Sequence, residues 1–122
     1  MYGAVALGGA LGSVGRAWLG GVIGGAMGPG FPWGTLAINV LGSFVMGWFA
    51  AITEVGARAE AAAQWQVFVM VGLCGGFTTF SAFSLQTLEL LRAGAMGWAG
   101  AYVAGSVLLC LVGVWTGVVL GR

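Results

Sequence analysis

The chain has 122 residues, of which 60% are hydrophobic and only 6% are charged, whereas a soluble domain carries about 25% charged residues. Four basic and three acidic residues cannot cover a water-exposed surface, so most of the surface must face lipid. The net charge of +1 excludes a basic patch for nucleic acid, and the absence of His leaves few acid–base groups for an enzyme.

Four apolar stretches follow one another, and each is long enough for a spanning helix of about 20 residues. The predicted helices cover residues 4–27, 34–53, 64–91 and 98–120. They are separated by three short connections, Gly28–Trp33, Glu54–Glu60 and Arg92–Ala95. Residues 1–122 therefore form one predicted transmembrane domain, all-α in class, with both termini on the same side of a cell inner membrane or plasma membrane.

The first predicted helix contains one charged residue, Arg16, which costs about 2.5–3.5 kcal/mol at a helix centre. Two interpretations remain open: Arg16 reaches back to the membrane interface, or it makes a water-filled vestibule attractive to anions. Because the apolar stretch continues past Arg16, we expect a retained helix and not a cleaved signal peptide. Cys74 and Cys110 also lie in apolar stretches and are expected to be free thiols.

Glycines recur at four-residue spacing, which lets helix backbones approach closely inside lipid. The sets are Gly8 and Gly12; Gly20 and Gly24; Gly21 and Gly25; and Gly113, Gly117 and Gly121. We predict that most of them serve helix packing.

The distribution of arginines bears on membrane orientation, because loops rich in basic residues stay cytoplasmic. Arg58 and Arg122 lie on the side of the termini, and Arg92 lies on the opposite side. This small bias leaves two possibilities: weaker cues set one orientation, or the chain inserts both ways and pairs with an inverted copy. Four helices are too few to enclose a transport path, so an oligomer is expected.

Polar residues recur every four positions on two predicted helices, which places each set on one helical face. The sets are Thr35, Asn39 and Ser43 on the second helix and Tyr102, Ser106 and Cys110 on the fourth. Hydrogen bonding between helices would explain either set alone, at about 0.6 kcal/mol per contact. Two such stripes together favour a polar track.

The third predicted helix contains Gly75–Ser84, where two glycines precede a run of Thr and Ser. This pattern predicts a break in the helix at mid-membrane, which frees backbone carbonyls to bind a cation. Phe80 and Phe83 share a face and could offer ring edges to an anion, although packing would also explain them. The candidate groups are neutral donors, ring edges and Arg16, a set that points to a small anion.

Three sequence blocks resemble the CrcB family, the Fluc fluoride channels. The blocks are Gly8–Arg16, Gly34–Gly47 and Gly72–Ser84, in the order and at the spacing of the family. The resemblance implies a dual-topology, antiparallel homodimer in membrane lipid that exports fluoride passively and so relieves fluoride toxicity.

The resemblance also implies roles for individual residues. The fluoride pathway would be lined by Asn39, Thr79, Phe80, Ser81, Phe83, Tyr102 and Ser106. The backbone carbonyls of Gly75 and Thr78 would hold a structural sodium ion at the dimer centre, and Arg16 would lie in a vestibule. Three positions depart from the family pattern: this chain has Ala82 where the family usually has Thr, Gln86 where it commonly has Glu, and Cys110 where it often has Ser. Each of these residues is less polar than the one it replaces.

Two other functions are compatible with four short helices. A proton-coupled drug exporter of the small multidrug-resistance type would need a glutamate in the first helix, where this chain has Arg16. A structural membrane subunit would suit the glycines but does not explain the polar stripes.

Overall fold

A computed structural model of the protein describes residues 1–54 and 57–122, with side-chain surroundings for all of these except residues 57–59. Part of the charged connection predicted after the second helix, including the side chain of Arg58, thus lies outside the description. Within the described ranges every regular element is a helix. The elements are α1 (Tyr2–Met27), α2 (Trp33–Thr53), α3 (Ala57–Gln66), a π-helix called π1 (Val67–Cys74), α4 (Gly75–Phe77), α5 (Phe80–Arg92) and α6 (Met96–Gly121).

Three helical segments are long and apolar enough to cross a membrane: Trp33–Thr53, Glu60–Arg92 and Met96–Gly121. The 26 residues of α1 would extend about 39 Å at 1.5 Å per residue. Nine of them are glycines and one is Arg16, and α1 is not among the three segments that meet both conditions. Length and composition therefore support three of the four predicted spans, enough for a multi-pass membrane protein.

Glycines of α6 bring it into close contact with α2. A Cβ atom at Gly117 would lie 2.7 Å from the backbone N of Trp48, and one at Gly113 would lie 3.1 Å from the carbonyl oxygen of Val40. Since residue numbers rise together along both helices, α2 and α6 run in the same direction. The predicted packing role is confirmed for this set of glycines.

Glycines of α1 make an equally close contact with π1 and α4. Added Cβ atoms at Gly8 and Gly12 would run into the backbones of Phe68 and Leu73. By contrast, Gly21, Gly24 and Gly25 have nothing within 4 Å of an added Cβ in the described part of the chain. The packing prediction is therefore confirmed for Gly8 and Gly12 and not for Gly21, Gly24 and Gly25. Gly20 lies close to α2, since a Cβ added at Gly34 would lie 2.8 Å from the Gly20 carbonyl oxygen.

Helical structure is interrupted at Thr78 and Thr79, whose backbones are extended (φ −84°, ψ 156° and φ −149°, ψ 117°). Both residues lie within Gly75–Ser84, the segment whose pattern predicts a break, whereas Gly75 itself is helical with φ −61° and ψ −39°. Gly76 is needed for packing instead, since a Cβ there would lie 2.5 Å from the carbonyl oxygen of Gly9.

A small buried cluster lies where α5, α6 and the connection between α1 and α2 meet. Its buried members are Leu90, Ala99 and Tyr102, and Phe31 and Phe83 pack against them. Elsewhere most large apolar side chains of the described residues are exposed, as expected for a surface in lipid.

Candidate functional site

A groove of about 420 Å³ runs between α2, the interruption, α5 and α6. It is lined by polar or aromatic residues and by an apolar remainder: Asn39, Ser43, Thr78, Thr79, Phe80, Phe83, Ser106 and Cys110, with Gly42, Met46, Val107, Leu111 and Val114. The groove thus brings together five of the seven residues expected along an ion pathway. The other two, Ser81 and Tyr102, do not line it.

Asn39 holds the interruption through two hydrogen bonds to the backbone of one residue. Its side-chain oxygen Oδ1 accepts from the Thr79 N–H at 2.8 Å, and its Nδ2 donates to the Thr79 carbonyl oxygen at 3.1 Å. We call this pair of bonds the Asn39 clamp. It joins α2 to a segment 40 positions later and supplies the partners that an extended backbone inside a membrane protein requires.

The clamp and a side-chain cap release two carbonyls from helical hydrogen bonding. In a continuous helix, the Gly75 carbonyl would accept from the Thr79 N–H, and that of Thr78 from the Ala82 N–H. The Thr79 N–H donates to Asn39 instead, and the Ala82 N–H donates to Thr79 Oγ1 at 3.2 Å. These are the two carbonyls predicted to hold a cation, and the structure separates both from those helical donors.

Thr79 also begins α5 as its N-cap residue. Besides the Ala82 N–H, its hydroxyl lies 3.3 Å from Ser81 Oγ. The hydroxyl of Thr78 turns back and donates to the Cys74 carbonyl oxygen at 2.8 Å. Ser81 therefore supports the cap of α5 in this arrangement and does not present its hydroxyl to the groove.

The two aromatic rings at the start of α5, Phe80 and Phe83, are tilted against each other, with a centroid separation of 5.4 Å and an interplanar angle of 45°. The outer ring, Phe80, is 79% exposed in the single chain. The inner ring, Phe83, lies against Tyr102 with centroids 5.1 Å apart. Phe80 is thus free to contact a partner or an ion, whereas Phe83 is backed by the bundle.

The two polar stripes divide between the groove and the rest of the bundle. On α6, Ser106 faces the groove, but Tyr102 is completely buried and donates its hydroxyl to Gln86 Oε1 at 2.9 Å. On α2, Asn39 faces the groove, but Thr35 faces a second cavity. Ser106 Oγ is buried and has no hydrogen-bond partner among the described residues.

The second cavity encloses about 780 Å³ beside α1. Arg16, Thr35, Gln86 and Glu89 contribute its polar walls, and Thr79 is shared with the groove. The vestibule interpretation of Arg16 agrees with this location, and Nε of Arg16 is buried without a hydrogen-bond partner among the described residues. The sequence offers no sign that Glu89 shares this cavity, because the contact depends on how α5 packs.

No three His, Cys, Asp or Glu side chains of the described residues come together as a metal site. Cys74 and Cys110 are free thiols, as expected, and Cys110 lines the groove.

Comparison with known proteins agrees with the resemblance of the three sequence blocks. The family described as CrcB-like protein, Camphor Resistance (CrcB), matches residues 3–118. A protein of Rhodospirillum rubrum is 57% identical over 93% of this chain and 88% of its own length, and one of Opitutus terrae is 56% identical over 96% and 89%. A third, from Paramagnetospirillum magneticum, is 53% identical over 95% and 91%.

All three relatives carry the name fluoride-specific ion channel FluC. Ion channels are not enzymes, in agreement with the few acid–base groups of this sequence. Since the match extends over nearly the whole chain, the protein belongs to the CrcB-like family.

Proposed function

We propose that the protein is a fluoride-selective channel that lets cytoplasmic fluoride leave the cell passively across the inner or plasma membrane. The main support is the likeness over nearly the whole chain to relatives named as fluoride channels. The groove adds chemical support, because its polar groups are neutral donors and aromatic edges and include no carboxylate. Such groups can donate hydrogen bonds or ring edges to a small anion, and none of them repels it with a negative charge.

The groove becomes a pathway when a second chain covers it. In the single chain it is open along one side, and Phe80 projects from it with 79% of its surface exposed. We propose an antiparallel homodimer of inverted copies, in which four helices per chain, α1 included, cross the membrane as one transmembrane domain. The near balance of arginines on the two sides supports insertion in both orientations.

Along this pathway we assign direct ion contacts to Asn39, Phe80, Phe83 and Ser106. Each of them lines the groove, and Ser106 has a hydroxyl still without a partner among the described residues. We assign supporting roles to Thr79, Ser81 and Tyr102, which cap α5 or back Phe83. Arg16 supplies positive charge to the adjoining vestibule and raises the local concentration of anions.

The direction of net flow follows from the membrane potential. An inside-negative potential drives an anion outward at about 2.3 kcal/mol per charge per 100 mV. Fluoride enters a cell as neutral HF and is trapped as the anion at neutral pH. An open pathway is therefore enough to lower cytoplasmic fluoride, without coupling to another ion.

Purified protein in liposomes tests this function. With the potassium salt of each anion inside and valinomycin present to let potassium carry the balancing charge, fluoride efflux down its gradient, followed with an ion-selective electrode, is expected to go to completion, while chloride efflux stays at the level of protein-free liposomes. Equal flux of both anions would contradict selectivity, and no flux of either would contradict the channel. Uptake of a lipophilic cation driven by a pH gradient would point to an exporter instead.

A structural sodium ion is proposed at the interruption, which we place at mid-membrane and at the centre of the dimer. The carbonyls of Gly75 and Thr78 would hold the ion. The N–H groups that would bond to them in a continuous helix, those of Thr79 and Ala82, donate to Asn39 Oδ1 and Thr79 Oγ1 instead. Carbonyl oxygens freed by a helix break are suitable ligands for Na⁺. There the ion would supply positive charge to carbonyl oxygens that lack these helical donors.

Replacing sodium by N-methyl-D-glucamine at constant ionic strength is expected to destabilise the dimer. A ligand present at about a hundredfold excess over its Kd contributes about 2.7 kcal/mol of stability, and the bulky cation cannot enter the site. The measurement is thermal unfolding in detergent, with choline as a second bulky replacement. An unfolding midpoint that is the same in all three salts would remove the sodium assignment.

A further inference from the structure

Five aromatic rings form a continuous series from the connection between α1 and α2 to the groove. Phe31 contacts Trp98 and Tyr102 with centroid separations of 5.5 and 5.4 Å. Tyr102 contacts Phe83 at 5.1 Å, and Phe83 contacts Phe80 at 5.4 Å. All four separations lie in the range of favourable aromatic pairs, so the tilt of each ring constrains the tilt of the next.

The backbone around Phe31 is shaped by two glycines before it and by Pro32 after it. Gly28 and Gly30 have φ values of 78° and 116°, which side chains other than glycine rarely adopt. Pro32 precedes the first residue of α2, and the Trp33 N–H donates to the Phe31 carbonyl oxygen at 2.9 Å. On its α2 side, Phe31 is thus fixed by the proline that follows it and by the Trp33 hydrogen bond, and its ring is anchored next to the start of α2.

Tyr102 is held on three sides. Its hydroxyl donates to Gln86 Oε1, its ring meets Phe31 almost edge-on at 82°, and Phe83 packs against it at 46°. None of its surface is exposed. Removing the Phe31 ring would leave a void on one side only, into which Tyr102 could tip about its hydroxyl. Phe83 would then lose its packing contact with the Tyr102 ring.

We propose that Phe31 is a positioning residue for the ion pathway, which sets the tilt of Phe83 by wedging against Tyr102. Phe31 lines the Arg16 cavity and not the groove, so any effect on the groove passes through Tyr102. The inference rests on the proposed function, because the readout is fluoride flux. The connection between α1 and α2, which lines the Arg16 cavity, thus influences the Phe80–Phe83 pair in the groove.

A double-mutant cycle in liposomes tests this coupling. Phe31→Ala is expected to lower the fluoride flux per dimer by about three- to tenfold. This factor corresponds to the interaction free energy of one aromatic pair. In a Phe83→Ile background, whose own flux is reduced, Phe31→Ala should cause no further loss, since the ring that it positions is gone. Phe31→Tyr keeps the ring and should restore wild-type flux.

Phe68→Ala is the matched control. Phe68 also makes one nearly perpendicular aromatic contact, to Trp65 at 6.1 Å and 89°, but it contacts neither Tyr102 nor the groove. Its flux per folded dimer should equal that of the wild type. If Phe31→Ala does not fold, Phe31→Leu replaces it in the cycle, since leucine fills most of the void without a ring.

The outcomes separate the two proposals. A wild-type protein that passes no fluoride overturns the proposed function, and this inference with it. If the wild type conducts, wild-type flux in Phe31→Ala, or an equal loss of flux in both backgrounds, overturns the positioning role alone.

Discussion

Exchanging Asn39 for aspartate is expected to abolish fluoride flux. The carboxylate can still accept from the Thr79 N–H, but it cannot donate to the Thr79 carbonyl oxygen, so half of the Asn39 clamp is lost. A buried group left unsatisfied costs about 1–3 kcal/mol. A carboxylate about 4 Å from a passing anion adds about 4 kcal/mol at an effective dielectric constant of about 20, which is nearly a thousandfold in rate.

Two further variants separate charge from geometry. Asn39→Leu removes both bonds of the clamp without adding charge, and should lower thermal stability as well as flux. Gln64→Glu makes the same amide-to-carboxylate change on the exposed surface of α3, outside the groove, and should conduct like the wild type. Flux and thermal unfolding are measured for all three proteins. Wild-type behaviour of Asn39→Asp in both assays would show that the clamp does not matter.

Gly12→Ala is expected to destabilise the protein more than any other single-methyl addition in α1. The new Cβ would run into the Leu73 carbonyl oxygen and lie 2.9 Å from the backbone N of Phe77. Neither is the flexible end of a side chain, so α1 must move away from π1 and α4. Overpacking of this kind costs about 1–3 kcal/mol.

Gly25→Ala is the control in the same helix. An added Cβ at Gly25 meets nothing within 4 Å in the described structure, and alanine favours a helix over glycine by about 0.5–1 kcal/mol. Chemical or thermal unfolding in detergent should therefore show lower stability for Gly12→Ala and equal or higher stability for Gly25→Ala. Equal effects of the two substitutions would contradict the close packing of α1.

Helix positions could be predicted well because they depend on local composition. The second predicted helix, 34–53, differs from α2 by one residue at its start, and the fourth, 98–120, begins two residues after α6. Pro32 lies just before α2, and Gly94, with a φ of 77°, lies in the connection before α6; proline at a helix start and glycine just past a helix end are common boundary residues. The third predicted helix begins later than α3, because the short polar segment at Ala57–Gln66 is helical without being apolar.

The interruption lies within the Gly75–Ser84 pattern, but the residues at which it occurs could not be predicted. Gly76 serves packing instead of the break, because α1 lies against it at Gly9, and an added Cβ at Gly75 would meet nothing of α1. The actual break is fixed by Asn39, a residue on another helix whose contact with Thr79 only the fold reveals.

The same limit applied to the polar stripes. Four-residue spacing predicts that Tyr102 and Ser106 share one face of α6. It does not predict which neighbour each side chain contacts. Tyr102 meets Gln86 and two aromatic rings, whereas Ser106 meets the groove. Periodicity gives the face of a helix, and only packing decides what covers it.

The Asn39 clamp places unequal demands on its two ends. The Thr79 end uses only the main chain, which every amino acid except proline can supply. Its side chain serves the separate task of capping α5, for which the uncharged Ser or Asn is equally suited. The Asn39 end needs an acceptor and a donor on one short side chain, a combination that only asparagine offers at that length. Over evolutionary time, substitutions at position 79 could therefore accumulate without a compensating change, whereas position 39 could change only together with a new way of fixing the break.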